Sequence, residues 1–255
     1  MKPKAFITGA TSGFGKAIAI KLAQNGWELI ITGRRKERLN ELENEIKSQH
    51  QTRVISLCFD VRNQPEVHSA FESLPDEWKL IDVLVNNAGL ASGFGPIQEG
   101  LLSDWEDMID TNVKGLLYVS KEIMIGMTAR KSGHIVNIGS VAGKEAYANG
   151  NVYCATKHAV DAITKSMRID MLPFGVKVTA INPGAAETEF SLVRFHGDPE
   201  KASAVYRGFT PLEAEDIAEV VLFAISRPRH VVLNDIIITP LAQANTANFI
   251  RNGSL

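Results

Sequence analysis

The stretch "KAFITGATSGFG", residues 4–15, decides how this chain is read. Its first five residues form a short apolar run of the kind that makes a strand covered on both faces. A turn carrying Gly9, Gly13 and Gly15 follows, and then the helical pattern "FGKAIAIKLAQNG". A glycine-rich turn between a first strand and a helix brings backbone N–H groups close to a pyrophosphate, which the helix N-terminus also attracts. The spacing, Gly-x-x-x-Gly-x-Gly, departs from the Gly-x-Gly-x-x-Gly fingerprint, and a lone glycine loop is equally a tight turn. The strand before it and the helix after it favour the dinucleotide reading. Gly9, Thr11, Ser12, Gly13, Phe14 and Gly15 are then the loop residues beside the coenzyme.

The same strand–helix alternation continues along the chain. Strand candidates are 28–32, 53–59, 81–86, 134–139, 176–182 and 235–239, and helix candidates are 14–25, 36–48, 103–127, 151–172 and 213–227. Gly26 and Gly175 stand where helices stop, and Ser103 or Asp104 where the 103–127 helix opens. Alternation of this kind implies a parallel sheet with helices on both sides. No Pro-, Gly- or Ser-rich linker, internal repeat or low-complexity tract divides the 255 residues, so residues 1–255 read as one α/β domain. Residues 184–211, which begin "PGAAETEF", show no clear period and read as a functional loop over the substrate; 240–255 form a C-terminal tail.

Composition excludes several classes. A hydrophobic content of 45%, 22% charged residues and a formal net charge of −2 leave no electrostatic footprint for nucleic acid or an anionic membrane. No apolar run is long enough to cross a bilayer and no signal segment opens the chain, so the cytoplasm is the expected location. Cys58 and Cys154 make neither a disulfide framework nor metal spacing, and both read as packing residues. No cluster of histidines and acids has metal-ligand spacing. His134 and His158 read as structural, and His196 as a lid residue that either lines the pocket or faces solvent.

Two short patterns refine the chemistry. The second strand ends in "ITGRRKER", where an acid would hold the ribose of NAD; Arg34 and Arg35 stand there instead. Guanidinium groups suit a 2′-phosphate, which points to NADP, although the same arginines would also solvate a loop. Further on, "NVYCATKHAV" (151–160) sets Tyr153 and Lys157 four positions apart, on one face of a helix. Either the pair is an accident of a partly exposed helix or the ammonium alters what the phenol does.

Taken in order, "TGATSGFG", "FDVRN" (59–63), "NNAG" (86–89), "DTNVKG" (110–115), "NIGS" (137–140), "YCATK" (153–157) and "INPGAAET" (181–188) resemble the short-chain dehydrogenase/reductase family over almost the whole chain. The resemblance implies a single-domain Rossmann-type, doubly wound fold with a seven-stranded parallel sheet. It implies a catalytic tetrad of Asn112, Ser140, Tyr153 and Lys157. It also places Asp60 and Val61 beside the adenine, Asn86, Ala88 and Gly89 near the coenzyme, and Pro183, Gly184 and Thr188 beside the nicotinamide, with Tyr153 and Lys157 touching coenzyme as well. In this scheme Lys157 draws the phenol, whose ordinary pKa is about 10, towards proton transfer. Ser140 donates to the substrate oxygen, and Asn112 holds a water that links Lys157 to solvent.

A narrower resemblance, carried by "TEFSLVRFHGD" (188–198), "YANGNVYCATK" (147–157) and "DTNVKGLLY" (110–118), is to the NADP-dependent 3-hydroxy acid dehydrogenases. That subgroup includes serine and allo-threonine dehydrogenases and related semialdehyde reductases, so serine, allo-threonine or 3-hydroxypropionate is the substrate type it implies. Ser140, Tyr147, Tyr153 and Arg194 are the substrate candidates, with Phe195 a further pocket aromatic. Arg194 would grip a carboxylate, or pair with Glu189, Asp198 or the coenzyme phosphates. The alternatives are a dehydrogenase of neutral alcohols or carbonyls and a non-catalytic NADP sensor. The helices at 103–127 and 151–172 carry apolar residues on more than one face, which points to assembly unless the tail covers them; the resemblance implies a homotetramer.

Overall fold

The computed structural model describes residues 2–251. Seven strands form one parallel sheet: β1 (Lys4–Ile7), β2 (Glu28–Gly33), β3 (Val54–Cys58), β4 (Val83–Asn86), β5 (His134–Ile138), β6 (Lys177–Pro183) and β7 (Asp235–Ile238). Their spatial order is β3-β2-β1-β4-β5-β6-β7. The chain turns outward in opposite directions from β1, so a crevice opens between the ends of β1 and β4.

The alternation of side chains along each strand divides the core. Ile7 pairs in register with Ile31 and Val85, and all three face α1 (Gly13–Gln24), α2 (Lys36–His50) and, at the far end of the chain, Ala214–Ile225. Phe6, in register with Ile30 and Leu84, faces α3 (Gln64–Glu72) and the helices after β4 and β5. Each fully buried Leu or Ile contributes roughly 1.5–3 kcal/mol, which fixes the register, because a one-residue slip would expose a whole face.

Four details differ from the sequence reading. The 103–127 helix is interrupted: α4 (Leu102–Ile109) passes through one π-helical turn, Asp110–Gly115, into α5 (Leu116–Arg130). The wide turn contains Asn112, whose side chain is pinned to the loop after β4; such bulges re-aim a side chain. The helix also starts earlier, on Leu101, and Asp104 points inward to accept from Ser92 Oγ at 2.7 Å rather than capping. Cys58 is exposed, because it ends the edge strand β3 where nothing covers it.

The stretch 184–211 is not an unstructured loop. After α6 (Asn151–Met171) and β6 it holds α7 (Glu189–Arg194) and α8 (Pro199–Ala204), followed by α9 (Ala214–Ile225). Thr188 Oγ1 accepts from Phe190 N at 3.2 Å, and Asp198 Oδ1 from Glu200 N and Lys201 N at 3.1 Å each. "TEF" and "DPE" are therefore cap signals, the second with proline at the first helical position. Gly26 (φ +80) and Gly175 (φ +64) do end helices in the left-handed region.

Candidate active site

The ends of β1, β4, β5 and β6 open into a cavity of about 860 Å³. Its floor is the glycine turn. Gly9 and Gly13 have φ of +67 and +49, and a Cβ on Gly15 would lie 2.5 Å from Asn87 Nδ2 and 2.8 Å from the Gly9 carbonyl carbon. Gly15 thus lets α1 close on the turn rather than facing the cavity itself. The first turn of α1 carries neither an acid nor a side-chain cap, so its N–H groups are free for an anion. Thr8 Oγ1 accepts from Asn87 N and Ala88 N, at 2.9 Å each, and ties this turn to the "NNAG" segment.

That segment contains a correction. Asn86 is buried beneath the floor, donating at 2.9 Å to Ser120 Oγ and at 2.9 Å to Asn137 Oδ1. Its neighbour Asn87 lines the cavity, together with Ala88 and Gly89.

At one end of the cavity lie Arg34, Arg35, Asp60 and Val61. Burial acts to raise the Asp60 carboxyl, but hydrogen bonds and charge from Arg62 hold it below the usual range. Arg35 donates from Nη2 to Ser12 Oγ at 2.8 Å and to Thr11 Oγ1 at 2.9 Å. These guanidinium groups and the glycine cradle fit a phosphorylated dinucleotide.

At the other end Ser140, Tyr153 and Lys157 converge, with Pro183, Gly184 and Thr188 along one wall. The π turn puts Asn112 behind them: Oδ1 accepts from Leu90 N at 2.8 Å, and Nδ2 donates to Leu90 O at 2.8 Å and Thr156 Oγ1 at 3.0 Å. One amide hydrogen is spent on the Leu90 loop and the other on Thr156 of α6. Lys157 Nζ donates to Ile138 O at 2.9 Å and has two further N–H groups; burial pushes its pKa down to about 8.

The tyrosine differs from expectation. Burial pushes the Tyr153 phenol up, while a hydrogen bond with Ser140 and the charge of Arg194 pull the other way. Lys157 Nζ stands 6.0 Å from the Tyr153 ring centroid, and desolvation is the largest influence on the phenol.

Arg194, from the end of α7, is surrounded by rings: its guanidinium carbon lies 5.1 Å from the centroid of Phe94, 5.2 Å from Tyr153, 5.5 Å from Tyr147 and 5.9 Å from Phe190. It donates to the Tyr147 hydroxyl, and its buried Nε has no partner. Neither acid weighed as its partner takes it: Glu189 pairs with Arg35 and Arg38, and Asp198 with Lys201. His196 turns away, with Nε2 3.3 Å from Asp104 Oδ2. The sequence reading missed Phe94, Phe190, Asn87 and the tail residues Gln243, Thr246 and Arg251, which all line the cavity.

Residues 3–197 match the short chain dehydrogenase family. The chain belongs to that family. It is 46% identical over 239 residues to an NADP-dependent 3-hydroxy acid dehydrogenase (YdfG) of Salmonella typhi, covering 93% of this chain and 95% of the relative. It is also 46% identical over 242 residues to sulfoacetaldehyde reductase 2 of Chromohalobacter salexigens, covering 94% and 95%. Among solved structures, the closed form of a serine dehydrogenase complexed with NADP+ superposes with a TM-score of 0.91 at 44% identity, over 97% of this chain and 98% of that one. This short-chain dehydrogenase is an NADP-dependent oxidoreductase acting on CH–OH groups. No helix among the described residues is long and apolar enough to cross a membrane.

Proposed function

We propose that this dehydrogenase oxidises the 3-hydroxyl of a small hydroxy acid such as serine, allo-threonine or 3-hydroxypropionate, or reduces the matching semialdehyde. The observation that carries the reading is Arg194. Its guanidinium lies among four aromatic rings and, among the described residues, has no carboxylate partner and keeps a buried N–H unpaired. A cation so placed is short of a negative charge, and a carboxylate accepting two parallel hydrogen bonds supplies it. The relatives fit, since a hydroxy acid, serine and sulfoacetaldehyde are all small molecules bearing an acid group.

The residues divide the work as follows. With the substrate acid on Arg194, its hydroxyl falls between Ser140 and Tyr153, which share the same end of the cavity. Ser140 donates a hydrogen bond to the oxygen as charge develops on it. Tyr153 exchanges the hydroxyl proton. NADP, when bound, would supply hydride-transfer chemistry at the substrate carbon. The two uncommitted N–H groups of Lys157 would hold the coenzyme ribose, and the charge of Lys157 favours the phenolate. Asn112 fixes the Leu90 loop and the back of the site. Arg34 and Arg35 would hold the 2′-phosphate and the glycine loop the pyrophosphate.

Arg194→Met tests the carboxylate clamp. Loss of a bidentate, charge-assisted contact should raise KM for 3-hydroxy acids roughly 100-fold, with little change for a neutral alcohol of the same size. Equal losses on both substrate types would refute the clamp.

For assembly, we read the exposed apolar residues Leu102, Ile109, Leu117 and Ile125 of α4 and α5, with Ile169 of α6, as the surface of a homotetramer. The described part of the tail lies elsewhere: Thr246 bonds Glu145, and Arg251 bonds the carbonyls of Val205 and Arg207.

A further inference from the structure

Helix α7 begins on an acid held by Arg35 of the coenzyme site and by Arg38 beside it. Glu189 Oε2 lies 2.9 Å from Arg35 Nη1, and Oε1 lies 2.6 Å from Arg38 Nη1. Arg35 spends Nε and Nη2 on Thr11 Oγ1, and Nη2 also on Ser12 Oγ. With Glu189 in place, one of its five N–H groups remains uncommitted. Burial acts to raise the Glu189 carboxyl, but Arg35 and Arg38 hold it below the usual range, so it is ionised at neutral pH. Arg34 is freer: its acid neighbour is Asp60 at 3.7 Å, and Asp60 is already gripped by Arg62 at 2.7 Å. The Glu189 carboxylate therefore sits between the guanidinium groups of Arg35 and Arg38, and Arg35 is itself held by two hydroxyls of the glycine loop, at the end of the cavity where a 2′-phosphate belongs.

We propose that Glu189 is the resident anion of the 2′-phosphate site, an internal competitor that NADP displaces and NAD leaves in place. The proposal rests on the reading that Arg34 and Arg35 take the 2′-phosphate. A carboxylate and a phosphate repel one another when they share one guanidinium, here that of Arg35, so the phosphate's arrival drives Glu189 off. The exchange reaches the substrate side through α7. Glu189 is the first residue of this six-residue helix and Arg194 the last, so freeing one end changes the restraint on the other. Discrimination between the two coenzymes thereby includes a carboxylate from the lid.

The probes are 2′,5′-ADP, which carries the 2′-phosphate, and 5′-AMP, which lacks it. Their binding to the full chain is measured by calorimetry at low salt for wild type, Glu189→Gln and Glu189→Ala. Loss of two half-exposed ion pairs from the free protein should tighten 2′,5′-ADP binding roughly five-fold in both variants, with 5′-AMP unchanged. Wild-type or weaker binding of 2′,5′-ADP by the variants overturns the proposal, provided wild type prefers it to 5′-AMP. If wild type shows no such preference, the arginine reading itself has failed, and the proposal falls with it. Amide hydrogen exchange across residues 189–194 reads the second half. In wild type it should quicken with 2′,5′-ADP and not with 5′-AMP; identical exchange with both overturns the coupling to α7.

Discussion

Replacing Lys157 by Met should stabilise the coenzyme-free protein. Lys157 is buried, makes one hydrogen bond, to Ile138 O, and has its pKa pushed down to about 8 by burial. In the unfolded chain a lysine titrates near 10.4. Below pH 8 both states are protonated, so the desolvation cost is fully present; above about 10.5 neither is, and it is gone. Between the two the unfolded chain binds more protons, and stability rises with pH. The difference corresponds to about 3 kcal/mol at pH 7. The unpaired Ile138 carbonyl returns about 1 kcal/mol of this. A net gain of about 2 kcal/mol should raise the melting temperature by roughly 4–8 °C in a chain of this size. Calorimetric melts of coenzyme-free wild type and Lys157→Met at pH 7 and pH 10 measure it, and the gap should shrink at the higher pH. A variant no more stable at pH 7, or a gap independent of pH, would refute the claim that this ammonium is held at a cost for function.

Other expectations concern acid stability and the glycine turn. His134 is pushed down to about 4, chiefly by burial and secondarily by Lys177; its unfolded value is near 6.5. Its contribution is complete above pH 6.5 and is lost as pH falls towards 4, with about 2 kcal/mol gone by pH 5. Urea midpoints for wild type should therefore fall more between pH 7 and 5 than those of His134→Gln, and parallel falls would exclude His134 as the cause. Gly15→Ala places a Cβ 2.8 Å from the Gly9 carbonyl carbon; the overpacking should cost about 1–3 kcal/mol of stability. Displacement of the turn should also weaken NADP binding at least ten-fold by equilibrium dialysis, and unchanged binding would show that the turn tolerates the shift.

The fold was legible because its signals are local and repeated: near-continuous apolar strands, helices of regular period and a glycine turn whose tightness the structure requires. The error at Asn86 was avoidable on the same grounds. Leu84 and Asn86 are two apart on β4, so they share a face, and Leu84 belongs to the layer containing Val119 of α5. Asn86 had to follow it inward, where Ser120 and Asn137 meet it; Asn87, one step on, faces the cavity. The ring cage of Arg194 was of another kind. Phe94, Tyr147, Tyr153 and Phe190 come from separate segments, and nothing in their spacing announces that they meet.

What unites the site is also invisible to composition. The net charge is −2, and many cations, such as Lys21, Arg53 and Lys201, are paired with acids at the surface. Yet one cavity holds Lys157, whose single hydrogen bond goes to a neutral carbonyl, and Arg194, which bonds a neutral phenol. Burying uncompensated charge is expensive, so its concentration in one place is informative. The two ligands this reading assigns to the cavity, a phosphorylated dinucleotide and a small acid, are both anions. Each would neutralise charge that the empty protein carries at a cost, so coenzyme and substrate should each stabilise the fold most when these cations remain intact.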